Sequence, residues 1–122
     1  MSSEFFRINE HTIEASHIRG FPRSTATSQD EVLHLAVKQY MPLNSTPRDG
    51  DITIIAAHAN AFPKELYEPL WDELLKRCDQ YGFGIRGIWI ADVVHQGWSS
   101  VLNEDKLGND RMTLHISKSF LY

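Results

Sequence analysis

Residues Asp51 to Phe62, DITIIAAHANAF, form a short apolar run that stops abruptly at His-Ala-Asn-Ala-Phe. The run is brief and rich in β-branched residues, the pattern of a strand buried on both faces. Pro63 follows, and the segment from Lys64 to Tyr81 then reads as a long amphipathic helix. A buried strand, a tight polar turn and a helix start make one arm of a βαβ unit. Such turns lie at the carboxyl ends of parallel strands, where open α/β sheets place their ligand sites.

The other elements fall around this arm. Phe5–Ile8 reads as a short strand, and Thr12–Arg19, which alternates weakly, as another candidate. Gly20–Asp30 is a turn-rich polar loop. Glu31–Met41 alternates, with Leu33, Leu35 and Val37 on one side and His34, Ala36 and Lys38 on the other. It reads as a strand, with a helix as the alternative. Pro42–Gly50 is a loop marked by proline and Asp-Gly signals. In the helix, Leu66, Leu70, Leu74 and Cys78 recur at spacing four beside Tyr67, Trp71 and Leu75, predicting one broad apolar stripe against the sheet. Pro69 either opens the helix or kinks it. Gly82 is placed to cap it in the left-handed conformation. Ile85–Asp92 is the next strand, Val93–Gly108 a polar loop, and Arg111–Tyr122 a tail. The order is β-β-β-α-β, and the crossover from the third strand to the fourth is expected to be right-handed and parallel.

Composition narrows the function. At 122 residues with 42% hydrophobic and 23% charged residues, the chain has the make-up of one ordinary folded domain. A net charge of -4 with dispersed arginines argues against nucleic acid as a partner, which needs a basic face. Cys78 is the single cysteine, which excludes an internal disulfide and a thiolate metal site. It reads as a small core residue. No run reaches the ~20 apolar residues of a membrane span. The C-terminal Phe120-Leu121-Tyr122 is not a Ser-Lys-Leu type peroxisomal address.

Few residues carry chemistry. His58-Ala59-Asn60 leaves the strand where backbone N–H groups can face an anion or a developing oxyanion. The plainer reading makes His58 a hydrogen-bonded turn histidine and Asn60 a helix cap. Asp92, ending the fourth strand, is a candidate acid, or else a turn residue. Ser99 and Ser100 sit in GWSSV, which is not G-x-S-x-G, and read as loop serines. The histidines at 11, 17, 34, 58, 95 and 115 show no metal-ligand spacing, and no phosphate-binding or dinucleotide loop is present. No catalytic residue, metal or cofactor is therefore assigned.

The stretches FFRINEHTIEASHIRGFPRS, LAVKQYMPL, HANAFPKELYEPLWDELL and GIWIADVVHQGWSSVLNEDKLGND resemble the N-terminal part of fungal α/β-hydrolases, the abhydrolase proteins of host-selective toxin biosynthesis associated with peroxisomes. The resemblance implies an incomplete α/β-hydrolase fold, with four N-terminal strands and helix A between the third and fourth. It spans residues 1–110; residues 111–122 diverge as a tail. By this resemblance the turn after the third strand supplies an oxyanion-hole N–H, a vestigial role falling on Asn60 with His58 shaping the turn. Relatives often have Gly where Ala61 stands. The fold's nucleophile elbow, acid and catalytic histidine come later, so the resemblance implies a truncated hydrolase without a complete triad. An ester or polyketide-like substrate would be expected only if a complete site is supplied elsewhere. The implied setting is toxin or other secondary-metabolite biosynthesis in the peroxisome, with the cytoplasm as the alternative.

A different reading is a non-catalytic module. In the hydrolase order the third strand lies between the fourth and a fifth. Without a fifth, Ile52–Ala57 would offer an uncharged open edge for self-association or a partner chain, unless the tail residues Met112–Ile116 cover it.

Overall fold

The structure is a computed structural model that describes residues 2–16, 23, 25–28 and 30–108. Four strands and two helices run in the order β1 (Phe6–Glu14), β2 (His34–Pro42), β3 (Ile52–Ala57), α1 (Glu68–Tyr81), β4 (Ile85–Ala91) and α2 (Gly97–Leu102). The strands form one mixed sheet in the spatial order β1-β2-β4-β3. β1 and β2 pair antiparallel from Phe6 opposite Pro42 to Glu14 opposite His34. β2 pairs antiparallel with β4, and β3 joins β4 in parallel.

The first strand is longer than its sequence pattern predicts. Phe5–Ile8 and the start of Thr12–Arg19 merge into one nine-residue strand, because the ladder with β2 runs through the polar Asn9-Glu10-His11 segment without a break. Residues 17–19 of the second candidate lie outside the described residues, as does the tail 111–122. The alternating segment Glu31–Met41 is a strand, entered three residues later, and its odd-numbered apolar side chains Leu33, Leu35 and Val37 are buried. Val93–Gly108 is not all loop, since it contains α2.

The two sheet faces carry separate clusters. On one, Phe6, Tyr40, Ile85, Ile88 and Ile90 pack with Trp71 of α1. On the other, Leu33, Leu35, Val37 and Ala91 pack with Ala15 and Leu107. A 3-10 turn at Lys64–Tyr67 leads into α1, whose first turn holds Pro69, where its missing N–H costs nothing. Gly82 closes the helix at φ 78°, and the Phe83 N–H returns to the Cys78 carbonyl at 2.8 Å.

The stripe of α1 is rotated from the spacing-four reading. Tyr67, Trp71, Leu74, Leu75 and Cys78 face the core, following the 3.6-residue period about the large Trp71. Leu66 and Leu70 lie on the flank, and Leu70 is 53% exposed. β3 also departs from expectation. Its only neighbour among the described residues is β4, so Ile54 and Ala56 pack half-buried against the core while Ile55, on the opposite face, is 70% exposed.

Candidate functional site

Because β3 and β4 are parallel neighbours, their exits lie side by side and the turns after them meet. The first turn is His58–Pro63. The second is Asp92–Gln96, leading into α2. His58 is only 2% exposed. Its Nε2 accepts the Val93 N–H at 3.0 Å, so the ring proton sits on Nδ1, which donates to the Ala59 carbonyl at 2.8 Å. The imidazole thus ties one strand exit to the other. The plain reading of a hydrogen-bonded turn histidine and its turn-shaping role describe the same contacts.

The next residues form a tight turn closed by the Phe62 N–H on the Ala59 carbonyl at 3.0 Å. Its third position is Ala61, the one non-glycine residue with positive φ (65°) among the described residues. A turn of this hand prefers glycine there. The left-handed backbone at Ala61 costs on the order of 1–2 kcal/mol, so surrounding contacts must hold it. They are visible. The Ala59 N–H donates to the Tyr67 hydroxyl at 2.8 Å, and the Ala61 N–H to Gln96 Oε1 at 3.0 Å. Gln96 Nε2 donates to Asn60 Oδ1. Asn60 is therefore not a helix cap; neither Pro63 nor Tyr67, which precede the helical turns, makes a side-chain cap either. Between two engaged amides, the Asn60 N–H meets no acceptor among the described residues. It is a backbone donor of the turn open to an incoming oxygen.

Beneath the turn lies an ion pair that the sequence did not disclose. Asp92 and Lys64 are both buried, and Lys64 Nζ donates to Asp92 Oδ2. The same carboxylate accepts the Lys64 N–H on Oδ1 at 3.2 Å and the Trp98 N–H on Oδ2 at 3.1 Å. Asp92 is thus neither a free acid nor a mere turn residue; its oxygens are committed to two loops. Burial alone would lower the pKa of Lys64, but its hydrogen bonds to Asp92 and Glu65 together outweigh it and hold the ammonium above its ordinary value. Glu65, 3.0 Å from Lys64 and 3.2 Å from Lys38, is held below the usual carboxylate range. Burial pushes it up, and the hydrogen bonds and charges of Lys64, with Lys38, prevail. A cavity of about 370 Å³ adjoins the pair, lined by Glu10, His11, Lys38, Lys64, Glu65 and Trp98 among others.

Ser99 is not a loop serine. It is fully buried in α2, where its hydroxyl donates to the Asp92 carbonyl at 2.6 Å and accepts the Ala36 N–H at 2.8 Å. A hydroxyl so engaged is no nucleophile. Asn103, also fully buried, likewise ties the end of α2 to β2 through the His34 N–H and carbonyl. Neither role has a local sequence signal, because both depend on contacts more than 60 residues away. Among the described residues, no group of three or more His, Cys, Asp or Glu side chains could hold a metal ion.

An antiparallel β1–β2 pair beside a parallel β4–β3 pair, with a helix crossing between them and an amide-presenting turn at the exit of β3, defines a portion of an α/β-hydrolase fold. The solved structure of the peroxisomal α/β-hydrolase Lpx1 from Saccharomyces cerevisiae superposes on 85% of the chain with a TM-score of 0.70, at 22% identity and over 28% of its own length. In sequence the chain is similar to fungal proteins. It is 54% identical over 111 residues to a type I acyl-CoA thioesterase, mpaH, of Penicillium roqueforti, and 52% identical to mpaH' of Penicillium brevicompactum. These matches take in 90% of this chain, which spans about a quarter (25%) of the length of those curated relatives. No family model matches. The chain thus has the fold of part of an α/β-hydrolase and is similar in sequence to about a quarter of the length of these fungal thioesterases.

Proposed function

We propose that the chain supplies the oxyanion-stabilising turn of a fungal acyl hydrolase acting in secondary metabolism, with the Asn60 N–H as donor and His58 fixing the turn. The observation that carries this is the free Asn60 N–H at the exit of β3, held between two amides that are already engaged. The relatives are named as acyl-CoA thioesterases, so a thioester or ester carbonyl is the oxygen to be met. The nucleophile, acid and base of such a reaction are not assigned to any described residue, and the isolated chain is expected to give no turnover of a chromogenic ester. A toxin or other secondary metabolite is the product class the resemblance suggests. A peroxisomal setting draws on the name of the yeast neighbour, with the cytoplasm as the alternative. Residues 1–110 are read as the partial hydrolase unit. The test is amide NMR of the chain during titration with acetate. The account expects the Asn60 amide to shift saturably. An Asn60 amide that stays still while others move would remove the donor role.

Among the described residues β3 is paired on one side only, which favours a second reading, a module that pairs through Ile52–Ala57 with another copy or another chain. That strand carries no charge, and Ile52 and Ile55 are exposed beside it. Sedimentation tests this reading: the Ile52 N–H bonds toward β4, so the Ile55 N–H lies on the open side, and a monomer with a rapidly exchanging Ile55 amide contradicts pairing through this edge.

A further inference from the structure

The donor turn has unusual backbone at Ala61, and its direct contacts do not explain what anchors it to the sheet. Three groups anchored at one point do. The Asp92 carboxylate, fully buried at the exit of β4, receives the Lys64 backbone N–H, the Lys64 ammonium and the Trp98 N–H. Lys64 directly follows the turn His58–Pro63, and Trp98 lies in the first turn of α2, two residues after Gln96, whose side chain holds both Asn60 and Ala61. The carboxylate therefore sets the distance between the donor turn and the side chain that pins it. Gly97 completes the arrangement. Its φ is 53°, and a Cβ on it would run into the Asp92 carboxylate, so the loop after β4 is folded closely over this one group.

Building on the donor role of Asn60, we infer that Lys64 and Asp92 are positioning residues for the oxyanion-stabilising turn. They hold Ala61 left-handed and leave the Asn60 N–H facing outward, without touching a reacting atom themselves. A buried ion pair is weak evidence for net stability, since desolvation offsets much of the attraction. Its worth here lies in geometry. Three hydrogen-bonding groups from two loops converge on two oxygens, and an apolar pair of the same volume would leave the Trp98 and Lys64 amides unmatched.

Asp92→Asn tests this in the full chain. The amide keeps an oxygen for the Lys64 N–H but turns its NH₂ toward Trp98 N–H and Lys64 Nζ, while Lys64 retains Glu65 at 3.0 Å. Two readings are taken well below the melting transition: the three-bond HN–Hα coupling of Ala61, which reports φ, and the acetate response of Asn60. The expected result is a cooperatively melting D92N whose Ala61 coupling leaves its wild-type value and whose acetate affinity falls about tenfold. Lys64→Arg, which keeps the charge, should restrict both changes. A folded D92N with both readings unaltered would overturn the inference and reduce the pair to core filling. Should D92N not fold, Lys64→Met, which retains the backbone N–H on Asp92, gives the same readings; failure of both to fold would make the pair a folding determinant and also overturn it. A wild-type chain blind to acetate would count against Asn60 as donor, and the Ala61 coupling would still decide the positioning role.

Discussion

His58 receives the Val93 N–H on Nε2 at 3.0 Å, so one imidazole at the exit of β3 satisfies the second amide beyond β4. The proton on Nδ1 is committed to Ala59, which fixes the ring plane. His58→Ala leaves a half-buried amide without a partner and opens a cavity. It is expected to cost about 1–3 kcal/mol, the penalty for an unmatched buried donor. His58→Asn, which can offer an oxygen to Val93, should cost less. Urea melts of both variants check the order, and equal losses would show that the ring acts through packing alone.

The rotated stripe of α1 separates two leucines that look equivalent in the sequence. Leu74 packs on the core cluster, while Leu70 is more than half exposed. Leu70→Ala should change stability by less than about 1 kcal/mol, the range of surface substitutions. Trp71→Ala, which empties the centre of the α1–sheet contact, should cost about 3–5 kcal/mol. Denaturant unfolding of the three variants, with Leu74→Ala in between, reads the orientation of the helix directly.

The loop glycines should differ by position. Gly97→Ala meets the Asp92 carboxylate in a left-handed backbone and is expected to cost about 2 kcal/mol or more. Gly50→Ala has the same backbone problem at φ 91° but open space around it, and about 1 kcal/mol is expected. Thermal melts giving equal losses would mean that the carboxylate yields to the new methyl group.

The pH profile follows from three groups. Tyr40 is pushed far above its ordinary 10.0 by burial and then by its hydrogen bond to Glu68, and Lys64 is raised above 10.5. In both, the folded state holds the proton more tightly. Their stabilisation is full below those unfolded values and is lost as pH rises through 10.0–10.5 and beyond. Glu65 is lowered from 4.5, so its contribution is present above that value and is lost as pH falls below it. Urea midpoints should form a plateau between about pH 4.5 and 10 and decline on both sides. Tyr40→Phe should soften the alkaline decline.

Much of this arrangement was legible in the residues because it is local. The β-branched run at Ile52–Ala57, the Gly82 cap and the proline in the first helical turn are each specified by neighbours in sequence. The turn at His58–Asn60 could be placed because strand, turn and helix follow one another. The orientation of α1 is not legible in the same way, because equal spacing of four drifts around the helix, while Trp71 decides which side packs. The structural roles of Lys64, Ser99 and Asn103 are not legible in the sequence. Their partners lie 28 to 69 residues away, and a single lysine, serine or asparagine in a polar stretch carries no sign of such a partner. The place of Asp92 at a strand end is legible in the sequence, and the ammonium that meets it is not.

The central claim is that the Asn60 N–H is the oxyanion donor of an acyl hydrolase. It is tested most directly in a chimaera, with the matched 111 residues of the Penicillium roqueforti acyl-CoA thioesterase replaced by those of this chain. The measurement is acyl-CoA hydrolysis by the chimaera and by its Asn60→Pro variant, which lacks that N–H, with thermal melts confirming that both fold. The account predicts an active chimaera whose kcat falls by about 10²–10³ in the variant, the usual loss of one such donor. A folded Asn60→Pro chimaera that hydrolyses the thioester as fast as its parent would contradict it.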